Sequence, residues 1–102
     1  MDKVIVLHAD DNVATCLADL KRGEVAEWTH RGECLETKLG DDVPFGHKFA
    51  IAEIPTGAQV RKYGEVIGIA SKSIAAGAHV HVHNVDSARA RGDITENLEN
   101  PS

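Results

Sequence analysis

Glycine stands at positions 32, 40, 46, 57, 64, 68 and 77, and the stretches between these residues are too short and too β-branched for a succession of helices. Punctuation at this spacing predicts many short strands joined by tight turns. Within it lies a small repeat: Val43-x-x-Gly46-x-x-Phe49, Ile54-x-x-Gly57-x-x-Val60 and Ile74-x-x-Gly77-x-x-Val80. The first apolar side chain is read as buried, the glycine as a corner with positive φ, and the last apolar residue as the re-entry into the core. One turn is used three times. The expected fold is therefore mostly β, built of short bent strands.

The amino-terminal segment reads differently. Val4 to His8 forms an apolar strand-like run, and the following Ala-Asp-Asp-Asn offers Asp10 or Asp11 as a helix N-cap. Val13, Cys16, Leu17 and Leu20 recur at helical spacing, Lys21 and Arg22 suit the negative end of a helix dipole, and Gly23 suits a left-handed cap. One short N-terminal helix is predicted, with Cys16 on its apolar face. After Val85 the chain turns charged and poor in large apolar groups. Residues 1–88 are read as one domain and 89–102 as a polar C-terminal tail or linker, which orders only by packing on something else. The Arg-Gly-Asp tripeptide at 91–93 is read as accidental.

Composition excludes several function classes. Aromatics make up 4% of the 102 residues, which leaves little surface for stacking bases, and the formal net charge of −5 offers no basic face for phosphates. Nucleic acid is not an expected partner. The run from Val4 to Leu7 is too short for a membrane span or a signal-peptide core, so no membrane association and a cytoplasmic location are predicted. Two cysteines, Cys16 and Cys34, are expected to stay reduced there.

Gly77-Ala-His-Val-His-Val-His-Asn84 places three of the six histidines on alternate positions. In an extended strand Val80 and Val82 point to the core, while His79, His81 and His83 share the other face. Those imidazoles either face water or serve a nickel- or zinc-like site. Residues two apart on a strand lie about 6.5–7 Å apart, so only two could reach one ion without help from elsewhere. His47 and Lys48 follow the Gly46 turn, where a loop can aim polar side chains into a cleft, one facing in and one out. Tyr63-Gly64 reads as a tight turn and Gly68 as a close approach of two strands, although Lys62 and Tyr63 could also meet a carboxylate and a hydroxyl. His8 and His30 are read as surface or capping residues, Trp28 as a core or subunit-contact residue, and Asp41-Asp42 as turn chemistry.

Four blocks, DNVATCLADLKRGE (11–24), GHKFA (46–50), KYGEVIGIA (62–70) and GAHVHVHN (77–84), occur in this order. Together they resemble the SAF domain of the altronate and galactarate dehydratase family, over roughly residues 3–88. The resemblance implies a β-clip fold. It also implies the small subunit or N-terminal domain of a sugar-acid dehydratase, a lyase that eliminates water and whose active site this unit completes with a large catalytic partner. Iron or another divalent metal is expected in the complete enzyme, mainly on that partner; the ligands in this chain, the sugar acid and homo-oligomerisation stay open.

The family's Val-His-x-His-Asn pattern falls on Val80, His81, His83 and Asn84, with His79 just outside it. On this resemblance His81 and His83 are the candidate catalytic residues, and Asn84 orients an imidazole or a substrate hydroxyl. His47, Lys48, Lys62 and Tyr63 are the candidate substrate contacts. Activity of the chain alone is not expected. Two alternatives remain: the small subunit of a sulfolactate sulfo-lyase, which expels sulfite, and a non-catalytic SAF carbohydrate-binding or assembly module. Dispersal of His47, Lys62, His81 and His83 around the surface would favour the module.

Overall fold

The computed structural model describes residues 3–87, so the tail expected over 89–102 lies outside the described residues. The strands are β1 (Val4–Ile5), β2 (Val13–Cys16), β3 (Val25–His30), β4 (Glu33–Lys38), β5 (Lys48–Ala50), β6 (Gln59–Lys62), β7 (Glu65–Ala70), β8 (His79–Val80) and β9 (Val85–Ser87). All the pairings are antiparallel: a sheet of order β1-β2-β5-β8, the hairpin β3-β4, and a sheet of order β6-β7-β9. The mostly β expectation holds. Among the described residues no helix is long and apolar enough to cross a membrane.

The expected N-terminal helix is not formed. Val13–Cys16 is instead a fully buried strand that pairs with β1 on one side and β5 on the other. Leu17, placed on the apolar face of that helix, is 46% exposed. The reason is that Leu20-Lys21-Arg22-Gly23-Glu24-Val25-Ala26 is a further copy of the repeated turn. Gly23, Gly46, Gly57 and Gly77 have φ of 92°, 83°, 87° and 89°. In each copy the N–H after the glycine donates to the carbonyl two residues before it: Glu24 to Lys21, His47 to Pro44, Ala58 to Pro55, Ala78 to Ala75. Glycine at the third position of such a turn, with positive φ, is the type II signature.

Each turn is also clamped from outside by one buried residue. The N–H of Gly23, Gly46, Gly57 and Gly77 donates to the carbonyl of Leu39, Cys16, Ala70 and Ala50, and the N–H of those same residues donates back to Glu24, His47, Ala58 and Ala78. The leading apolar residues pair with one another, Leu20 with Val43 and Ile54 with Ile74. Backbone bonds that a helix would have made internally are thus made across the domain. This is the physical ground on which helical spacing lost to tertiary pairing.

Of the two acids expected as helix caps, Asp11 serves as a staple instead. Asp11 is buried; its Oδ2 accepts from the N–H of His8 at 3.2 Å and its Oδ1 from the N–H of Gly64 at 2.8 Å. Asn12 extends the staple, donating to the Gln59 carbonyl and accepting from the Arg61 N–H. Tyr63-Gly64 is the tight turn expected: Lys62 pairs with Glu65, and φ is positive at both turn residues, 55° and 81°, as a type I′ hairpin requires.

Two cores lie on either side of β2 and β5. Ala14, Cys16 and Phe49 join Val4, Leu20, Trp28, Leu39 and Val43 in one, while Val13 and Ala50 join Ile54, Val60, Ala70, Ile74 and Val80 in the other. Adjacent residues of a strand feed opposite cores. Trp28 is a core residue, its indole N–H donating to Thr37 Oγ1 at 2.9 Å. Both cysteines are free, Cys16 buried and Cys34 exposed. The close approach read at Gly68 is present too, since a Cβ there would overlap the Asp86 carbonyl oxygen and the Val85 side chain.

Candidate functional site

Strand β8 ends at Val80, so the histidine-rich stretch is not one extended strand. The N–H of Asn84 donates to the His81 carbonyl at 3.1 Å, which folds His81–Asn84 into a turn. Val82, expected in the core, is 80% exposed as a result. Only Val80 of the two valines is buried.

The histidines nevertheless gather. Lys48 pairs with Val80 and Phe49 with His79, and continuing this register by one step sets His47 opposite His81. Their ring centroids are 4.3 Å apart and nearly parallel, at 26°. His79 stacks on both: 5.1 Å from His47 and 5.5 Å from His81, with His47 Nδ1 and His79 Nε2 in hydrogen-bond contact at 2.9 Å. His83 joins from the turn, its ring 5.4 Å from that of His79. One ring nitrogen from each of His47, His79 and His81 lies within 4.8 Å of the other two, an arrangement that could hold a metal ion.

Backbone bonds fix the cluster from behind. Asn84 is 5% exposed; its Oδ1 accepts from the His81 N–H at 3.0 Å and its Nδ2 donates to the His79 carbonyl at 2.9 Å. Both ends of the Asn84 amide are therefore engaged with backbone, and it positions the imidazoles through the chain that carries them. Asp41 Oδ2 accepts from the His79 N–H at 3.0 Å. Asp42 accepts from the Arg22 N–H, so the acidic pair ties together separate loops.

An open pocket of about 230 Å³ lies beside the cluster, lined by Lys48, Ile67, Val80, His81, Val82 and Val85. His81 is common to pocket and cluster. The Lys48 ammonium is held below its ordinary pKa first by burial and then by the charge of Lys62. Lys62 Nζ lies 4.8 Å from the Tyr63 ring centroid, and the Tyr63 hydroxyl is 3.5 Å from Thr15 Oγ1. His79 is shifted down by desolvation, then by His47, His83 and His81, with Asp41 opposing. His81 is shifted down by desolvation, then by His47, Lys48 and His83. Both shifts favour the neutral imidazole at His79 and His81, the form that accepts a proton or binds a metal.

Residues singled out in two separate blocks, His47 and Lys48 with His81 and His83, thus converge, and Lys62 of a third acts on Lys48. The residue that sequence reasoning missed is His79, which touches each of the other three rings. Its signal was available in the repeat: pairing the Gly46 and Gly77 copies antiparallel sets His47 across from His81 and diagonally from His79. His8 and His30 lie elsewhere, His8 Nδ1 accepting from the Asp10 N–H and His30 Nε2 donating to the Ala9 carbonyl.

The family model for the altronate/galactarate dehydratase SAF domain matches residues 2–88. Altronate dehydratase of Escherichia coli is 49% identical over 80 residues, covering 78% of this chain and 15% of that protein. Altronate dehydratase of Bacillus subtilis is 40% identical over 84 residues, covering 82% of this chain and 16% of that protein. The chain therefore spans less than a fifth of those relatives. By contrast, (2R)-sulfolactate sulfo-lyase subunit alpha of Chromohalobacter salexigens is 35% identical over 88 residues, covering 83% of this chain and 94% of that subunit. Relatives of this unit thus occur both as part of a longer dehydratase and as a subunit of its own size. The chain belongs to the altronate/galactarate dehydratase SAF domain family.

Proposed function

We propose that this chain is the small subunit or N-terminal domain of a sugar-acid lyase of the altronate/galactarate dehydratase type, and that its histidine–lysine face completes an active site with a larger catalytic part. The observation that carries this reading is the convergence of His47, His79, His81 and Lys48 beside one open pocket. A non-catalytic module has no need of such a gathering.

β-Elimination from a hydroxy acid removes an α-proton, expels the leaving group from the neighbouring carbon, and builds enediolate charge on the carboxylate. It needs a base, an acid and fixed positive charge. The imidazoles of His81 and His83 suit the proton steps. Lys48 and Lys62, close enough for their charges to oppose each other, are a place where a carboxylate relieves the repulsion. Tyr63 supplies a hydroxyl to the substrate, and His47 and His79 hold His81. Phe45 and Val82, both exposed, lie within two residues of His47 and His81 and suit contact with a covering protein surface. In the complete enzyme iron or another divalent metal supplies Lewis acidity, held mainly by the larger part, and the site works in the cytoplasm.

A specific relative favours one second reading. The sulfo-lyase subunit matches over nearly its whole length, so sulfite rather than hydroxide is the alternative leaving group. The same carboxylate clamp and base serve both reactions. The test is to co-express the chain with the large lyase-like protein of the same organism and assay the pure complex on hexarates, hexonates and sulfolactate. The complex turns over one of these, the chain alone none, and His81→Ala or His83→Ala lowers kcat by roughly 10²–10⁴ in the assembled complex. Full activity of both variants would overturn the catalytic assignment.

A further inference from the structure

We propose that His47, His79 and His81 form a binding site for one divalent transition-metal ion carried by this chain itself, separate from any metal held by a larger partner. The donor set is three imidazole nitrogens, which suits zinc, iron, cobalt or nickel rather than magnesium or calcium. Its nitrogens lie within 4.8 Å of one another, and His47 Nδ1 and His79 Nε2 are 2.9 Å apart. Around a tetrahedral ion with metal–nitrogen distances of about 2.0–2.1 Å, such nitrogens stand about 3.3–3.4 Å apart. The rings therefore need shifts on the order of 1 Å, within the reach of side-chain rotation.

Three further features point the same way. The ligands come from two paired strands and the turn that follows, so the backbone that carries them is tied down by Asn84 and Asp41 rather than free to splay. The three donors are all imidazoles, brought together from separate stretches of the chain, and a shared cation holds such a set in place. Three protein donors leave at least one coordination position open, and His81 also lines the pocket that contains Lys48. The ligand class that fits such a position beside an ammonium group is a carboxylate or an α-hydroxy carboxylate oxygen. With His81 engaged by the ion, the proton-transfer role falls to His83.

The site uses only residues of this chain, so its test stands apart from the lyase reading. Titrating the tag-free, chelator-stripped 102-residue chain with Co²⁺ is expected to produce visible d–d absorption that saturates at one ion per chain. His47→Ala, His79→Ala and His81→Ala each weaken binding by about tenfold or more, while His8→Ala with His30→Ala leaves it unchanged. Circular dichroism checks that each variant is folded. For the unaltered chain, the imidazole ¹⁵N resonances of His47, His79 and His81 shift on addition of Zn²⁺ and those of His8 and His30 do not. Absence of a saturable spectrum, or shifts at His8 and His30 in place of the three, would overturn the assignment.

Discussion

His47 and His81 face each other across the β5–β8 pair with ring centroids 4.3 Å apart, although they lie in different sequence blocks. The register that buries Phe49 and Val80 is what brings them together. Packing and site are set by the same pairing, and stability and function are therefore linked in ways that can be measured.

The first link is to pH. His79 and His81 have folded-state pKa values below the ordinary 6.5, mainly through desolvation and then through neighbouring imidazoles, with Lys48 adding to His81 and Asp41 opposing at His79. The unfolded chain thus binds the extra protons. The stabilising contribution is complete above about pH 6.5 and is lost as pH falls from there through the lowered folded values. Urea denaturation of the metal-free chain should show lower stability at pH 5.5 than at pH 7.5, with a shallower dependence in His79→Gln. A flat or inverted profile would contradict the cluster's geometry.

Asn84 tests the support behind the imidazoles. Asn84→Ala removes two part-buried side-chain bonds, to the His81 N–H and the His79 carbonyl, at a cost of about 1–3 kcal/mol. In the assembled enzyme the variant should lose activity as well, through misplaced rings. Chemical denaturation and the imidazole NMR shifts read the two effects separately.

The repeated turn makes a comparative prediction. Gly57 and Gly77 share a positive φ, but a Cβ on Gly57 meets nothing within 4 Å whereas one on Gly77 would overlap the Lys38 carbonyl oxygen. Gly57→Ala should cost about 1–2 kcal/mol, the penalty for a left-handed L-residue. Gly77→Ala should cost clearly more or prevent folding. Equal losses in thermal unfolding would show that the clamp around Gly77 is looser than described.

Lys48 should show opposite effects on stability and function. Its ammonium is half-buried and near Lys62, so Lys48→Met relieves desolvation and repulsion while keeping the aliphatic stem. The isolated chain should gain roughly 2–6 °C in Tm, and the assembled enzyme should show a raised KM for its acid substrate. A fall in Tm would mean that Lys48 is stabilised by contacts its surroundings do not suggest.

Much of this was legible before any coordinates. The β class followed from Gly46, Gly57 and Gly77, and the resemblance of the blocks pointed to the family. The copy of the turn at Leu20–Ala26 was not legible, because Val13, Cys16, Leu17 and Leu20 also satisfy helical spacing and Gly23 after Lys21-Arg22 satisfies both a helix cap and a turn. Choosing between them required the partner strand: β5 and Leu39 supply the bonds that the helix would have supplied. The strand reading fails at Val82 for a related reason, since β8 stops at Val80 and the bond from the Asn84 N–H to the His81 carbonyl turns the chain. His79 was passed over because the family pattern begins at Val80, whereas its contacts arise from cross-strand register.

Hydrogen exchange of the chain, free and mixed with the proposed large partner, tests most directly whether this face is where a second polypeptide closes. Slowed exchange concentrated at residues 45–48 and 79–84, with the β3–β4 hairpin unaffected, is the predicted result. Protection confined to that hairpin, with the histidine turn exchanging as in the free chain, would contradict the account.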